Sequence, residues 1–452
     1  MLKLSYYTIF SDAVNKKNDS ILFSTRTSQP FVISYSIREQ LENGKFDQVS
    51  KDVLEKLIKA KVIVNYNEDE LMQIVYENKQ EIYENDKILY EVIQPSAMCQ
   101  LGCYYCGQDH KKVNISVDIY ENLLDRIKLK AEKGDYNNLF VGWFGGEPLM
   151  ALQQIRAMTP KLKAIAESRN MTYGAKIVTN GLSLKENIFY ELVTKLHIKS
   201  IEVTLDGIAE FHDQHRYTKE GGKSFDLIFK NLLKILNRED FKELGCKLSI
   251  RCNVDKKNWD GVTPLIKLLS EHKLNEKISY FYPIGVYSWG GNDAHNNSLT
   301  KEEFAAQEID WLIEMYENGF TPNLLPGRVK QVCMAVSPNS EMYDAYGNIF
   351  NCTEVSYTDV YENTPYTLGN LKLNPPQHSK IYRPLSDWND TILTDKFPCH
   401  TCKMLPVCGG GCPKSWHEDM RACPSAKFNI KERLALSYIV SKSKIQDLLN
   451  TE

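Results

Sequence analysis

No run of 18 apolar residues occurs anywhere in the 452-residue chain, which excludes a membrane-spanning helix. The N-terminus, MLKLSYYTIFSDAVNKK, lacks the unbroken apolar stretch of a secretory signal, so the protein is expected in the cytoplasm. An excess of one charge is lacking too. Lys and Arg number 55 against 58 Asp and Glu, a net of −3, and no global basic field is available for nucleic acid. No fixed-period repeat is present. Apolar residues are not scarce: 42% hydrophobic with 25% charged is enough for packed cores and too much for wholesale disorder. At roughly 150 residues per domain, the length implies two to four domains.

Twelve cysteines must be explained without disulfides, because reducing compartments keep thiols free. Their distribution points to metal. Cys99, Cys103 and Cys106 form one group, and Cys333, Cys352, Cys399, Cys402, Cys408, Cys412 and Cys423 lie in the last third of the chain. Cys246 and Cys252 stand apart in an apolar, strand-like run and read as small core residues.

Residues 1–87 read as one α+β unit. The β-rich runs 5–10 and 20–35 precede helical patterns near 36–41 and 51–60, a short strand-like KVIVN, and an acidic helix from Glu68. That order suits a winged-helix-like module, and a plain α+β cap on the next domain is the alternative. From residue 88 to 321, strand patterns at 89–94, 139–144, 175–180, 200–206, 247–254 and 278–284 alternate with amphipathic helices. These predict an α/β fold, a partial (β/α)6 barrel with its functional groups at the carboxyl ends of the strands. Between residues 322 and 429 periodicity fades and Gly, Pro, Asn and Cys dominate. A stretch so poor in periodic apolar residues cannot easily build its own core, so an irregular domain cross-linked by metal is expected. Residues 430–452 return to helical periodicity, with Leu434, Ile439, Leu448 and Leu449 as packing positions.

The first cysteine group is Cys99-x3-Cys103-x2-Cys106, on the loop leaving the first barrel strand. Three local thiolates on a cubane would leave one iron open; a zinc site completed by His110 is the other reading of this spacing. The spacing, with Tyr105 before the last cysteine, resembles the signature of radical S-adenosylmethionine enzymes. The resemblance continues in order over residues 89 to about 285. Gly145-Gly146-Glu147-Pro148 is similar to the family's GGEP element, which holds the methionine ammonium group. Thr179-Asn180-Gly181 ends the third strand and Thr204-Leu205-Asp206-Gly207 the fourth. His212-Asp213-x2-Arg216 resembles HDxxR, which assigns Arg216 to a carboxylate of the cofactor or of a nearby substrate. Asn253 lies toward the cofactor at the end of the fifth strand. The resemblance implies a [4Fe–4S] cluster whose open iron chelates S-adenosylmethionine, an electron passed to the sulfonium, and a 5′-deoxyadenosyl radical that abstracts hydrogen.

The later cysteines match the seven-cysteine pattern of SPASM domains, which carry two auxiliary [4Fe–4S] clusters, three in all. By that resemblance Cys399, Cys402, Cys408 and Cys423 hold one cluster, and Cys333, Cys352 and Cys412 the other; a paired zinc-ribbon arrangement is the alternative. The inner set has no eighth cysteine in 326–332. Its fourth position is left to a substrate thiolate, a non-cysteine ligand, water or Cys252. SPASM domains mostly accompany peptide and protein modification, and the N-terminal unit resembles the leader-recognition element of ribosomal peptide maturases. The combined expectation is a maturase of a ribosomally made precursor peptide that installs a thioether, C–C or C–O cross-link. The precursor would be bound through its leader, and reduced flavodoxin or ferredoxin would supply electrons. Alternatives are a sulfatase-maturing enzyme making formylglycine, another peptide-modifying enzyme such as an epimerase or dehydrogenase, and a redox carrier. Sulfatase-maturing relatives place an Asp after the cysteine corresponding to Cys352, where this chain has Thr353.

Overall fold

Hydrophobic alternation along the chain is satisfied by strand pairing in three sheets. The computed structural model describes residues 1–362, 364–373, 383–440 and 446–447. The N-terminal strands are β1 (Leu2–Leu4), β2 (Thr8–Ala13), β3 (Ser20–Ser24) and β4 (Gln29–Ile33). They are followed by α1 (Tyr35–Glu42), α2 (Lys51–Lys59), β5 (Ile63–Asn65) and α3 (Glu70–Gln80). β2, β3 and β4 make an antiparallel sheet, and β1 pairs separately with β5. The expected strand at residues 5–10 starts later, at Thr8. Ser5 Oγ donates to the Glu70 carboxylate and the Tyr6 amide to Glu70 Oε1 at 3.0 Å, which turns the chain out of a ladder there.

The central domain alternates β6 (Ile88–Ile93), α4 (Val117–Lys133), β7 (Asn138–Trp143), α5 (Leu152–Ser168), β8 (Thr172–Thr179), α6 (Glu186–Thr194) and β9 (Ile198–Thr204). Two helices follow before the next strand, α7 (Ala209–His215) and α8 (Phe225–Leu236). Then come β10 (Lys247–Val254), α9 (Val262–Glu271), β11 (Tyr280–Gly285) and α10 (Lys301–Glu317). The six strands pair in parallel in the order β11-β10-β9-β8-β7-β6. This α/β arrangement is the one expected from the sequence, a partial barrel that does not close. The sheet continues instead into the cysteine-rich region. β12 (Glu341–Tyr343) pairs parallel with β6, and β13 (Asn348–Phe350) and β14 (Thr367–Asn370) follow antiparallel. The short helices α11 (Trp388–Ile392), α12 (Leu405–Cys408) and α13 (Pro413–His417) surround the last cysteines.

The helical layer and the sheet enclose the main core, which includes Cys246 and Cys252. The cysteine-rich region instead packs partly on the N-terminal unit. Tyr7, Ile74 and Ile82 join Trp388 and Trp416 in one cluster, and Ile21, Phe23 and Val32 join Met404, Val407 and Leu434 in another. A buried ion network ties it to the sheet: Arg126 grips Glu341 at 2.7 and 2.8 Å, Arg383 reaches Glu341 at 3.2 Å, and Lys130 contacts both Glu341 and Glu91.

The closing helix, α14 (Ala426–Val440), is shorter than the expected 430–452. It is interrupted at Asn429, whose side chain donates to Ala305 O at 2.8 Å. Gln446–Asp447 form β15, parallel to β4, so helix does not run through them. Leu434 is buried as expected, but Ile439 is 72% exposed, on the outer side of the helix. Leu448 and Leu449 lie outside the described residues. No described helix is long and apolar enough to cross a membrane.

Candidate active site

Loops at the carboxyl ends of the parallel strands converge on one cavity of about 240 Å³. Cys99, Cys103, Tyr105 and Cys106 come from the loop after β6, and Gly145, Gly146 and Glu147 from the turn after β7. Thr179 and Asn180 come from the end of β8, Thr204 from the end of β9, Arg216 from just beyond α7, and Asn253 from β10. Every candidate residue for the first cluster and for the cofactor therefore lines a single space.

The turn after β7 depends on its glycines. Gly145 has φ +114°, and a Cβ on Gly146 would lie 2.5 Å from Met98 O, beside Cys99. This close approach orients Glu147, which is wholly buried. Its carboxylate accepts from Thr179 Oγ1 (2.7 Å), the Asn180 amide (2.7 Å) and the Leu149 amide (3.0 Å). Burial still pushes its pKa above the ordinary carboxylate range. Asn180 Nδ2 in turn donates to Cys99 Sγ at 3.7 Å, joining the two loops.

Tyr105 is the second junction. Its hydroxyl donates to Asp206 Oδ2 (2.6 Å) and accepts from Arg216 (2.7 Å) and Asn253 Nδ2 (3.0 Å). Asp206 also receives the Asn253 amide at 2.8 Å. His212 accepts from the Asp206 amide at 3.1 Å and meets Ser224 Oγ at 3.0 Å, while Asp213 Oδ1 accepts from the Ser224 and Phe225 amides. The His-Asp part of the HDxxR element is thus a staple for the β9 loop, and only Arg216 reaches the cavity. Arg216 keeps a buried Nε without a hydrogen-bond partner among the described residues.

The chemistry of the donor set fits an iron–sulfur group and S-adenosylmethionine. Three free thiols, a preorganised carboxylate and an incompletely satisfied guanidinium face one space. Burial pushes the Cys99 and Cys103 thiols up to about 11, so they bind iron only by giving up protons. His110 Nε2 stands 3.9 Å from Cys106 Sγ, and burial lowers its pKa to about 4, keeping it neutral. Among the described residues no three His, Cys, Asp or Glu side chains converge tightly enough for a single ion. The three thiols of Cys99, Cys103 and Cys106 line the same cavity.

Cys399, Cys402, Cys408 and Cys423 frame a second, small cavity with Gly410, Trp416 and Lys427. Gly410 has φ +87°, and a Cβ there would strike Trp388, so only glycine lets the chain coil between Cys408 and Cys412. Cys333, Cys352 and Cys412 lie within electrostatic reach of one another and of Glu354. Cys252, one option for their fourth partner, faces the main core on β10 and is fully buried there.

The cavity also has a wall that motif reading left out, built from Arg251, Tyr287, Trp289, Gln108 and Glu354. Arg251 Nε donates to Asn253 Oδ1 at 2.8 Å, and no ion pair forms to Arg251 among the described residues. Tyr287 Oη meets Glu354 Oε2 at 3.4 Å. The one available signal was a charged residue two positions before Asn253 in an apolar strand, which places both on the same face.

Comparisons with known proteins agree with this geometry. Residues 93–269 match the family model described as the radical SAM superfamily. The chain is 30% identical over 378 residues to a serine-type anaerobic sulfatase-maturating enzyme of Bacteroides thetaiotaomicron, covering 73% of this chain and 83% of that protein. It is 26% identical over 365 residues to an Fe-coproporphyrin III synthase of Methanosarcina barkeri, covering 73% and 84%. Among solved structures, native anSMEcpe with bound AdoMet and Cp18Cys peptide superposes with a TM-score of 0.55 at 17% identity, covering 78% of this chain and 96% of that one.

Proposed function

The chain belongs to the radical SAM superfamily, and from that premise we propose that it is a peptide maturase. It abstracts hydrogen from a ribosomally made precursor and installs a cross-link, either a thioether or a C–C or C–O bond. The observation that carries this reading is the mixed lining of the cavity. It joins the cysteine triplet, Glu147, Asn180 and Arg216 with Arg251, Tyr287, Trp289 and Glu354, and of these Tyr287 and Glu354 lie within electrostatic reach of Cys352.

In this reading Cys99, Cys103 and Cys106 hold a [4Fe–4S] cluster, and Tyr105, Gly145, Gly146, Glu147, Thr179, Asn180, Thr204, Arg216 and Asn253 receive S-adenosylmethionine. Together the bound groups supply a 5′-deoxyadenosyl radical. The protein's own residues orient and shield. Glu147, fixed by three donors, accepts from an ammonium group, and Arg216 offers a buried donor to a carboxylate. Tyr287 and Trp289 add aromatic surface to the same cavity and limit water beside the reacting carbon. Glu354 holds a carboxylate at the border of the cavity and the inner cysteine set, where it can take a proton from the substrate. Cys399, Cys402, Cys408 and Cys423 hold one auxiliary cluster; Cys333, Cys352 and Cys412 hold the other, three clusters in all.

The N-terminal unit receives the leader as an added strand. Its sheet has no strand beyond β2 among the described residues, and β4 is met only by the two residues of β15. A second reading, oxidation of Cys or Ser to formylglycine, draws on the named maturating relative, a serine-type enzyme. Against it, Thr353 follows Cys352, and the nearest carboxylate is one residue further on, at Glu354.

The test is anaerobic reconstitution with iron counted, followed by reductive cleavage of S-adenosylmethionine and mass analysis of candidate precursors. About twelve irons, 5′-deoxyadenosine, and a peptide lighter by two hydrogens that does not react with hydrazide support the maturase. A hydrazide-reactive aldehyde on the peptide would establish the formylglycine reading instead. Absence of cleavage would remove both.

A further inference from the structure

Apart from the site above, a surface groove of about 810 Å³ lies between α6 and α8. We propose that this groove is the docking site for an acidic one-electron donor protein, which delivers its electron beside Cys99. The inference rests on the radical-enzyme reading, which requires such a donor.

Charge comes first. Lys185, Lys230, Lys234 and Arg238 line the groove. Arg238 is already committed, to Glu186 at 2.6 Å and Asp240 at 2.8 Å. The three lysines are exposed, and none forms an ion pair among the described residues. A chain with a net charge of −3 thus concentrates uncompensated positive charge in one concave place. Between these cations lie two exposed apolar surfaces, Leu227 (56%) and Tyr190 (43%). An apolar centre with a charged rim is the pattern of small, short-lived electron-transfer interfaces.

Position is the second observation. Asn231, on the groove wall, donates to Gly181 O at 3.0 Å and Leu182 O at 3.1 Å. The preceding residue, Asn180, donates to Cys99 Sγ at 3.7 Å. Two hydrogen bonds and one peptide link therefore join the groove to the thiol. A parallel contact runs from Gln100 Nε2 to Ser183 Oγ at 3.4 Å. None of Arg251, Tyr287, Trp289 and Glu354, the residues read as meeting the peptide, lines the groove, so donor and substrate use different residues. In the complex the donor loses one electron and the site framed by Cys99, Cys103 and Cys106 gains it; no bond forms or breaks. Attraction across the rim speeds encounter and weakens as salt rises.

The experiment uses the reconstituted enzyme and a bacterial flavodoxin as probe. The triple variant Lys185→Glu, Lys230→Glu, Lys234→Glu should weaken flavodoxin binding, measured by titration without turnover, about tenfold or more at low salt. Flavodoxin-driven formation of 5′-deoxyadenosine should fall in parallel, while dithionite-driven formation stays unchanged. Arginine at the same three positions should retain binding, and reversal of Lys128 and Lys133, exposed on α4, should leave it intact. Unchanged flavodoxin affinity in the groove variant, or an equal loss in the α4 control, would overturn the proposal. Wild-type enzyme inert with dithionite would instead count against the radical reading, and the binding titration separates the two failures.

Discussion

Tyr105 Oη lies 2.6 Å from Asp206 Oδ2, so the loop that carries the cysteine triplet is bonded directly to the end of β9. Asp206 is fully buried and Arg216 shares the same hydroxyl, which makes this contact a junction between the candidate cluster loop and the candidate cofactor wall. Tyr105→Phe removes the donor and leaves Asp206 Oδ2 short of a partner. The expected cost is about 1–3 kcal/mol of stability, with weaker binding of S-adenosylmethionine. Thermal unfolding and equilibrium dialysis of the cofactor check both, and unchanged dialysis would remove Tyr105 from the binding wall.

Gly146→Ala tests the turn after β7. A Cβ would lie 2.5 Å from a backbone oxygen, which cannot rotate away, so the loop bearing Cys99 must shift. Iron bound at the first site and 5′-deoxyadenosine formation should both drop, while the protein stays folded by circular dichroism. Full activity in this variant would show that the close approach is not needed.

The cysteine sets should be separable. Replacing Cys99, Cys103 and Cys106 together by Ala should abolish cofactor cleavage and leave about eight of twelve irons. Replacing Cys399, Cys402, Cys408 and Cys423 should remove about four irons and also lower stability, because Cys399 and Cys423 pack with Trp388 and Trp416. Iron analysis with thermal unfolding distinguishes the two.

The buried network at β6 and β12 sets a pH dependence. Burial holds the Glu91 carboxyl up at about 7, above its ordinary 4.5, while Lys130, Arg126 and Arg383 hold Glu341 low despite its burial. Folded Glu91 binds its proton more tightly than unfolded Glu91. Its contribution is therefore fully present below pH 4.5 and is lost as pH rises through about 7. Glu91→Gln should flatten the decline in stability across that window, read as denaturant midpoints at several pH values. A wild-type profile with no decline relative to the variant would contradict this.

Removing residues 1–87 should do more than weaken the proposed precursor binding. Tyr6 Oη donates to Thr401 O at 2.7 Å, Thr25 Oγ1 to Lys403 O at 2.8 Å, and two apolar clusters are shared with the cysteine-rich region. The truncated protein should lose part of its auxiliary iron and melt at lower temperature. The sequence reads residues 1–87 as one unit, and the shared clusters show that it also completes the packing of the cysteine-rich region.

What the sequence determined by itself was everything carried by local pattern. Alternating apolar residues defined the six parallel strands to within a few residues. The Gly145-Gly146 turn and the spacing of Cys99, Cys103 and Cys106 depend on neighbours along the chain, and so are legible there. Tertiary structure decided what depends on distant partners. Arg251 and Cys252 are adjacent in sequence, yet one faces the cavity and the other the core, because successive strand residues point to opposite faces and only packing shows which face is which. β12 joins the parallel sheet beside β6 through pairing between residues some 250 positions apart, and the cysteine-rich region completes its core with side chains of the N-terminal unit. Such burial is a property of surfaces brought together by folding, and no local run of residues encodes it.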